Sequence, residues 1–101
     1  MIDLNKIQKQ ILTNKIDKGF NTKDINFEFN LLYSEIAEAF QAYRQKLPNL
    51  KEELADIAIY LLGLAEILNI DLEKEIINKI KKNQKRKYKK INGVVTKINN
   101  K

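Results

Sequence analysis

Apolar residues recur every three to four positions along most of the chain, and breaks in that rhythm divide it into four helical segments. Leu4, Ile7 and Ile11, widened by Leu12, predict a first helix from Met1 to about Lys18, with Gly19 where a helix C-terminus favours glycine. The polar, irregular stretch 21–26 reads as a loop. A second helix is expected from about Phe27 to Gln45, its core stripe formed by Phe29, Leu32, Tyr33, Ile36, Phe40 and Tyr43. Its opposite side carries Glu35 and Glu38 beside Leu31, Ala39 and Ala42, so that side is expected to face protein too. After the loop at Leu47–Pro48, Asn49 and Glu52 make a capping-box-like start to a third helix, about Leu50 to Asn69.

Within that third helix, Leu54 to Leu68 is apolar except for Asp56, Gly63 and Glu66. At about 100° per residue, Leu54, Ala58, Leu61, Ala65 and Leu68 share one side. Glu53, Asp56, Tyr60, Gly63 and Ile67 share the other. A helix apolar nearly all round should be buried among other helices. Asp56 is costly there unless a partner holds its charge. Asp71 predicts the N-cap of a fourth helix, from about Leu72 to Ile91, with Leu72, Ile76, Ile77, Ile80 and Ile91 as core positions and Gly93 as its stop. Val94 to Lys101 is expected to be a flexible tail, in which Val94-Val95 could pack or pair with another subunit. With no repeat and no linker, residues 1–101 read as one all-α domain resembling a four-helix bundle. A lone chain of 101 residues would leave much of helices two and three exposed, so oligomerisation should complete it.

Composition narrows the chemistry. Three Gly and one Pro disfavour a turn-rich β architecture. With neither Cys nor His, any metal must be held by oxygen, which points to Mg²⁺, with Mn²⁺ as a substitute. The start lacks the apolar run of a secretion signal, no segment is long enough to span a membrane, and a cytoplasmic location is expected. Charge is unevenly spread: residues 1–78 hold all 13 acids against 9 Lys/Arg, whereas residues 79–101 hold 10 Lys/Arg and no acid.

The candidate chemistry lies in two acidic pairs, Glu35-x-x-Glu38 and Glu53-x-x-Asp56. Residues three apart on a helix are neighbours, roughly 5–6 Å apart at Cβ, and two like charges that close favour a cation between them. If helices two and three are antiparallel neighbours, the four carboxylates converge on one patch suited to Mg²⁺ and a substrate phosphate. Lys79, Asn83 and Arg86 share a face of helix four and could supply counter-charges to a polyphosphate. Either acidic pair alone is more often a solvated face than a metal site, and Phe40 and Tyr60 are more often core than substrate contacts.

Taken together, LLYSEIAEAFQAYR and LKEELADIAIYLLGLAEILNIDLEKEIINKIKKNQKRKY closely resemble the MazG-like all-α nucleoside triphosphate pyrophosphohydrolases, over a motif core of about 27–88. The resemblance implies helical dimers, or pairs of dimers, enclosing Mg²⁺-dependent sites. It implies hydrolysis of a nucleoside or deoxynucleoside triphosphate between the α and β phosphates, giving the monophosphate and pyrophosphate. By matching positions, Glu35, Glu38, Glu53 and Asp56 would be the metal ligands, and Lys79, Asn83 and Arg86 the phosphate contacts. Glu38 is the carboxylate expected to orient the attacking water, and Phe20, Phe27 and Tyr60 are candidates for contacting the base. The family often has an acid directly before the first motif Glu, where this chain has Ser34. Two other readings compete: a nucleic-acid-binding module built on the basic C-terminal end, and a catalytically silent helical scaffold. No recognisable reading motif accompanies the charge of the basic end, so nucleic acid is not the expected partner.

Overall fold

The computed structural model describes residues 1–98, in the order α1 (Leu4–Asp17), α2 (Ile25–Arg44), α3 (Leu50–Ile67), α4 (Leu72–Lys85), β1 (Lys87–Ile91) and β2 (Val94–Ile98). Asp3, Asp24 and Asp71 cap α1, α2 and α4, each accepting a bond from the backbone N–H three residues on. Three helices end in the same way. The residue after the C-cap takes a positive φ (Gly19 73°, Lys46 55°, Asn69 58°). The next N–H then reaches back to the carbonyl five residues earlier, at 2.8 to 2.9 Å.

The third helix is central, packed against α2 on one side and α1 on the other, while α4 packs against α1. Gly63 sets the closeness of α1 to α3: a Cβ there would lie 3.0 Å from Ile11 Cγ2. Gln8, fully buried, ties α1 to the α3–α4 connection; its amide donates to Ile70 O at 2.9 Å and accepts from Leu72 N–H at 3.1 Å. Glu73 accepts from Leu4 N–H at 3.2 Å and so pins the start of α4 to the start of α1.

The four expected helices are present, but two expectations need correction. The α2 stripe expected to form the core is largely exposed: Phe29, Tyr33, Ile36, Phe40 and Tyr43 all face outward. The buried face of α2 is the opposite one, with Glu28, Ala39 and Ala42. On α3, likewise, Gly63, Leu64 and Ala65 are buried while Leu54, Leu61 and Leu68 are exposed, as are Ile76, Ile77 and Ile80 of α4. Small residues let α2 and α3 approach, leaving the large side chains outside the single chain. The shape agrees: the radius of gyration is 17.3 Å, against about 13 Å for a compact domain of this length.

The second correction concerns the C-terminal end. The fourth helix stops at Lys85, not Ile91, because Arg86 turns extended (φ −72°, ψ 139°). Residues 87–91 and 94–98, expected as helix and flexible tail, form an antiparallel hairpin. Asn92 and Gly93 both have positive φ (51° and 80°), the two-residue turn that matches the twist of paired strands. The last residues of the expected tail, 99–101, lie outside the described residues.

Candidate metal centre

The buried face of α2 and the N-terminal end of α3 bring three of the expected ligands together. Glu35, Glu38 and Glu53 each offer a carboxylate oxygen within 4.8 Å of the others. Glu35 and Glu38 are one turn apart on α2. Glu53 sits in the first turn of α3, where the unpaired N–H groups of the helix start favour negative charge. Asp56 lies one turn further along the same side of α3, exposed, and its charge reaches Glu35 without joining the close trio. The shelter from solvent expected for Asp56 is therefore not provided by a single chain.

Electrostatics fit a cation. Burial first, then the charges of Glu38, Asp56 and Glu53, push the Glu35 carboxyl above its ordinary range. The capping box expected at Asn49 does not form: the Asn49 side chain makes no cap bond and instead donates its amide to Glu53 Oε1 at 3.1 Å. Glu53 Oε2 is buried without a hydrogen-bond partner among the described residues. A carboxylate held by one oxygen, with the other desolvated and unpaired beside two more acids, is a donor set that suits a hard divalent cation. Sequence reasoning missed this use of Asn49; its position four residues before Glu53 was the available signal.

The other expected residues are placed apart. Lys79 and Asn83 are exposed on α4, and Arg86 is its half-buried C-cap. None of them pairs with the acidic trio, since the ion pair among the described residues is Lys15–Glu28. Ser34 turns back on its own helix, donating to Asn30 O at 3.2 Å.

Tyr60 connects the acids to a cavity. It follows Asp56 by four residues on the same side of α3, and its phenol is pushed up by burial and then by Glu35, Glu28, Asp56 and Glu38. Its ring also lines a cavity of about 340 Å³ between α1 and α3, with Phe20, Ile11 and Ile59 as apolar wall and Gln10 and Asn14 as polar groups. Phe27, half exposed, is not part of that wall. Behind it Lys15, buried and paired with Glu28, places its ammonium 5.6 Å from the Tyr60 ring centroid.

The family model that describes the MazG-like family matches residues 26–100, three quarters of the chain. The chain belongs to the MazG-like family. Membership covers α2 to β2 and every member of the acidic site; α1, which supplies one wall of the cavity, lies before the matched segment. No curated protein and no solved structure matches this MazG-like chain. No helix among the described residues is long and apolar enough to cross a membrane.

Proposed function

We propose that this MazG-like chain is a Mg²⁺-dependent pyrophosphohydrolase, converting a nucleoside or deoxynucleoside triphosphate and water to the monophosphate and pyrophosphate. The observation that carries the reading is the carboxylate trio with its orphaned Glu53 Oε2. Glu35, Glu38, Glu53 and Asp56 would hold the cation, Mg²⁺ or Mn²⁺. Bound there, a divalent ion would supply positive charge to offset the charge that builds on the substrate's phosphates.

The rest falls to the chain's own side chains. Glu38, the exposed member of the trio, accepts a proton from the attacking water as its oxygen bonds to phosphorus and the α–β bridging bond breaks. Tyr60, kept protonated, offers a neutral hydroxyl beside the acids. The base enters the cavity between α1 and α3, its ring against Phe20 and Tyr60 and its polar edge toward Gln10 and Asn14.

Lys79, Asn83 and Arg86 remain the phosphate-side contacts, contributed between copies in a homodimer or homotetramer. Three observations support an oligomer: the outward apolar stripes of α2, α3 and α4, the extended shape, and the packing of α4 on α1 instead of α2. Nothing in this scheme requires a membrane, and a cytoplasmic site of action suits a nucleotide substrate.

The test is pyrophosphate release from a panel of ribo- and deoxyribonucleoside triphosphates with Mg²⁺, for the native chain, Glu53→Gln and Asp56→Asn. Loss of release in both variants, with the melting temperature retained, is expected. Activity that survives both substitutions would sink the assignment, and no rise in melting temperature at millimolar Mg²⁺ or Mn²⁺ would favour a silent scaffold.

A further inference from the structure

The hairpin β1–β2 is unlike the rest of the molecule. All ten of its strand residues are exposed, and its extensive contact is between its own two strands. Two strands alone are marginally stable in water, so a partner is expected to complete them. Pairing places Tyr88 opposite Lys97 and Lys90 opposite Val95. Since side chains alternate between faces, these four share one face, with Tyr88 between Lys90 on its own strand and Lys97 across from it. Tyr88 is 52% exposed.

The charge around this face is of one sign. No acid follows Glu75; on the strands Lys90 and Lys97 share the Tyr88 face and Lys87 and Lys89 lie on the opposite one, while the last turns of α4 before them carry Lys81, Lys82 and Lys85. Directly opposed side chains in a ladder are about 4.5–5.5 Å apart at Cβ and diagonal ones about 7–8 Å. Lys90 and Lys97 stand at the diagonal spacing beside Tyr88 with no acid on either strand, and so suit an anion that spans both.

We propose that the hairpin is a binding site for single-stranded nucleic acid, with an unpaired base stacked on Tyr88 and the backbone phosphates held by Lys90 and Lys97. The occupant is decided by what the chain's own acids are doing. Asp3, Asp24 and Asp71 cap helices, Glu28 is paired with Lys15, and Glu73 is bonded to Leu4. The carboxylates at the metal centre are directed at a cation. Only Asp17, Glu52, Glu66 and Glu75 are left, scattered over α1, α3 and α4, so a second copy offers the hairpin no matching acidic surface. A stacking ring flanked by cations is the arrangement that holds unpaired bases without sequence readout, and a duplex keeps its bases stacked internally. The helical reading of this segment hid the face, because side chains that alternate along a strand scatter around a helix.

The experiment is fluorescence anisotropy of a labelled twenty-nucleotide oligo(dT) with the full chain at 50 and 200 mM NaCl. Tyr88→Ala and Lys90→Glu/Lys97→Glu are measured beside it, together with duplex DNA, heparin and anionic phospholipid vesicles as competitors. Binding that weakens with salt is expected, with a log–log slope of roughly −0.7 for each phosphate contacted. Tyr88→Ala should weaken it roughly 5- to 150-fold, the range for loss of one stacked base. Both variants should keep the melting temperature of the native chain. Absence of binding at 50 mM NaCl overturns the proposal, as does native affinity in Tyr88→Ala. Duplex or heparin bound as tightly as the oligonucleotide in every variant reduces the hairpin to an unspecific polyanion surface. If the charge reversal lowers the oligomeric mass or releases the vesicles while the native chain ignores the oligonucleotide, the occupant is a second copy or a membrane.

Discussion

The buried pair Lys15–Glu28 makes the sharpest prediction about what holds the site together. Both residues are under 10% exposed, and the other Glu28 oxygen accepts from the Asn21 amide at 3.2 Å. The Lys15 stem lies beside Gly63 and its ammonium over Tyr60, so the pair sits where α1, α2 and α3 meet behind the cavity. Lys15→Met keeps nearly the same stem and removes only the charge. Glu28 is then a desolvated carboxylate with one neutral donor, and breaking one side of such a pair costs about 3–5 kcal/mol. Domains of this kind are stable by only about 5–15 kcal/mol, so the variant should stand near the edge of unfolding. The melting temperature should fall by at least ~12 °C at about 4 °C per kcal/mol. Adding Glu28→Gln removes the orphan charge and should return most of the loss, since a neutral replacement of a buried pair is often nearly neutral in stability. The assay is urea unfolding followed by circular dichroism at fixed protein concentration, for both single variants and the double. A loss below about 1 kcal/mol in Lys15→Met, the range of a solvated surface pair, would refute the reasoning. So would a double variant no more stable than the worse single one.

Three further outcomes are expected. Asn49→Ser keeps a helix-capping residue but cannot reach Glu53, so Mn²⁺ affinity measured by calorimetry should fall about 10- to 100-fold, as for other groups that orient metal ligands. Stability without metal should fall only by about 0.5–1.5 kcal/mol, the worth of the lost bond to Glu53, because the Asn49 side chain makes no cap bond to lose. Lys46→Gly should stabilise the chain by about 0.5–1 kcal/mol in the same urea assay, since Lys46 holds φ 55° at the end of α2; Asn69→Gly, at a residue that tolerates this conformation, should gain less. Finally, Glu35 binds its proton more readily folded than unfolded. Its contribution to stability without metal is therefore fully present below the ordinary glutamate range and is lost as pH rises through the elevated folded value. Melting temperatures from pH 4 to 8 should show that decline in the native chain and a flatter profile in Glu35→Gln; parallel profiles would count against it.

What could be read in the sequence followed from the range over which each physical signal acts. Helix starts and stops are decided within three or four residues, so Asp71 and Gly19 announced their ends correctly. The two acidic pairs were legible for the same reason, because i, i+3 spacing alone puts two carboxylates together on a helix. Which face of α2 turns inward is not a local property. Periodicity marked the stripe of Phe40 and Tyr43 as core, as it would for any amphipathic helix. That rule assumes the core lies within one chain, and here the small residues Ala39 and Ala42 took the intrachain contact. The buried Gln8, Lys15 and Glu28 were invisible for a related reason. A polar residue reads as surface unless its partner is known, and each partner lies at least 13 residues away. The hairpin was a misread period. Asn92-Gly93 is a strong two-residue turn signal between two runs bearing β-branched or aromatic residues, but the run of lysines after α4 continued a helical pattern. Arg86 decides between the two: once its ψ is extended, the helix cannot continue. Of the lysines between Lys87 and Lys90, Lys90 then joins Lys97 beside Tyr88 on one side of a ribbon, while Lys87 and Lys89 fall on the other.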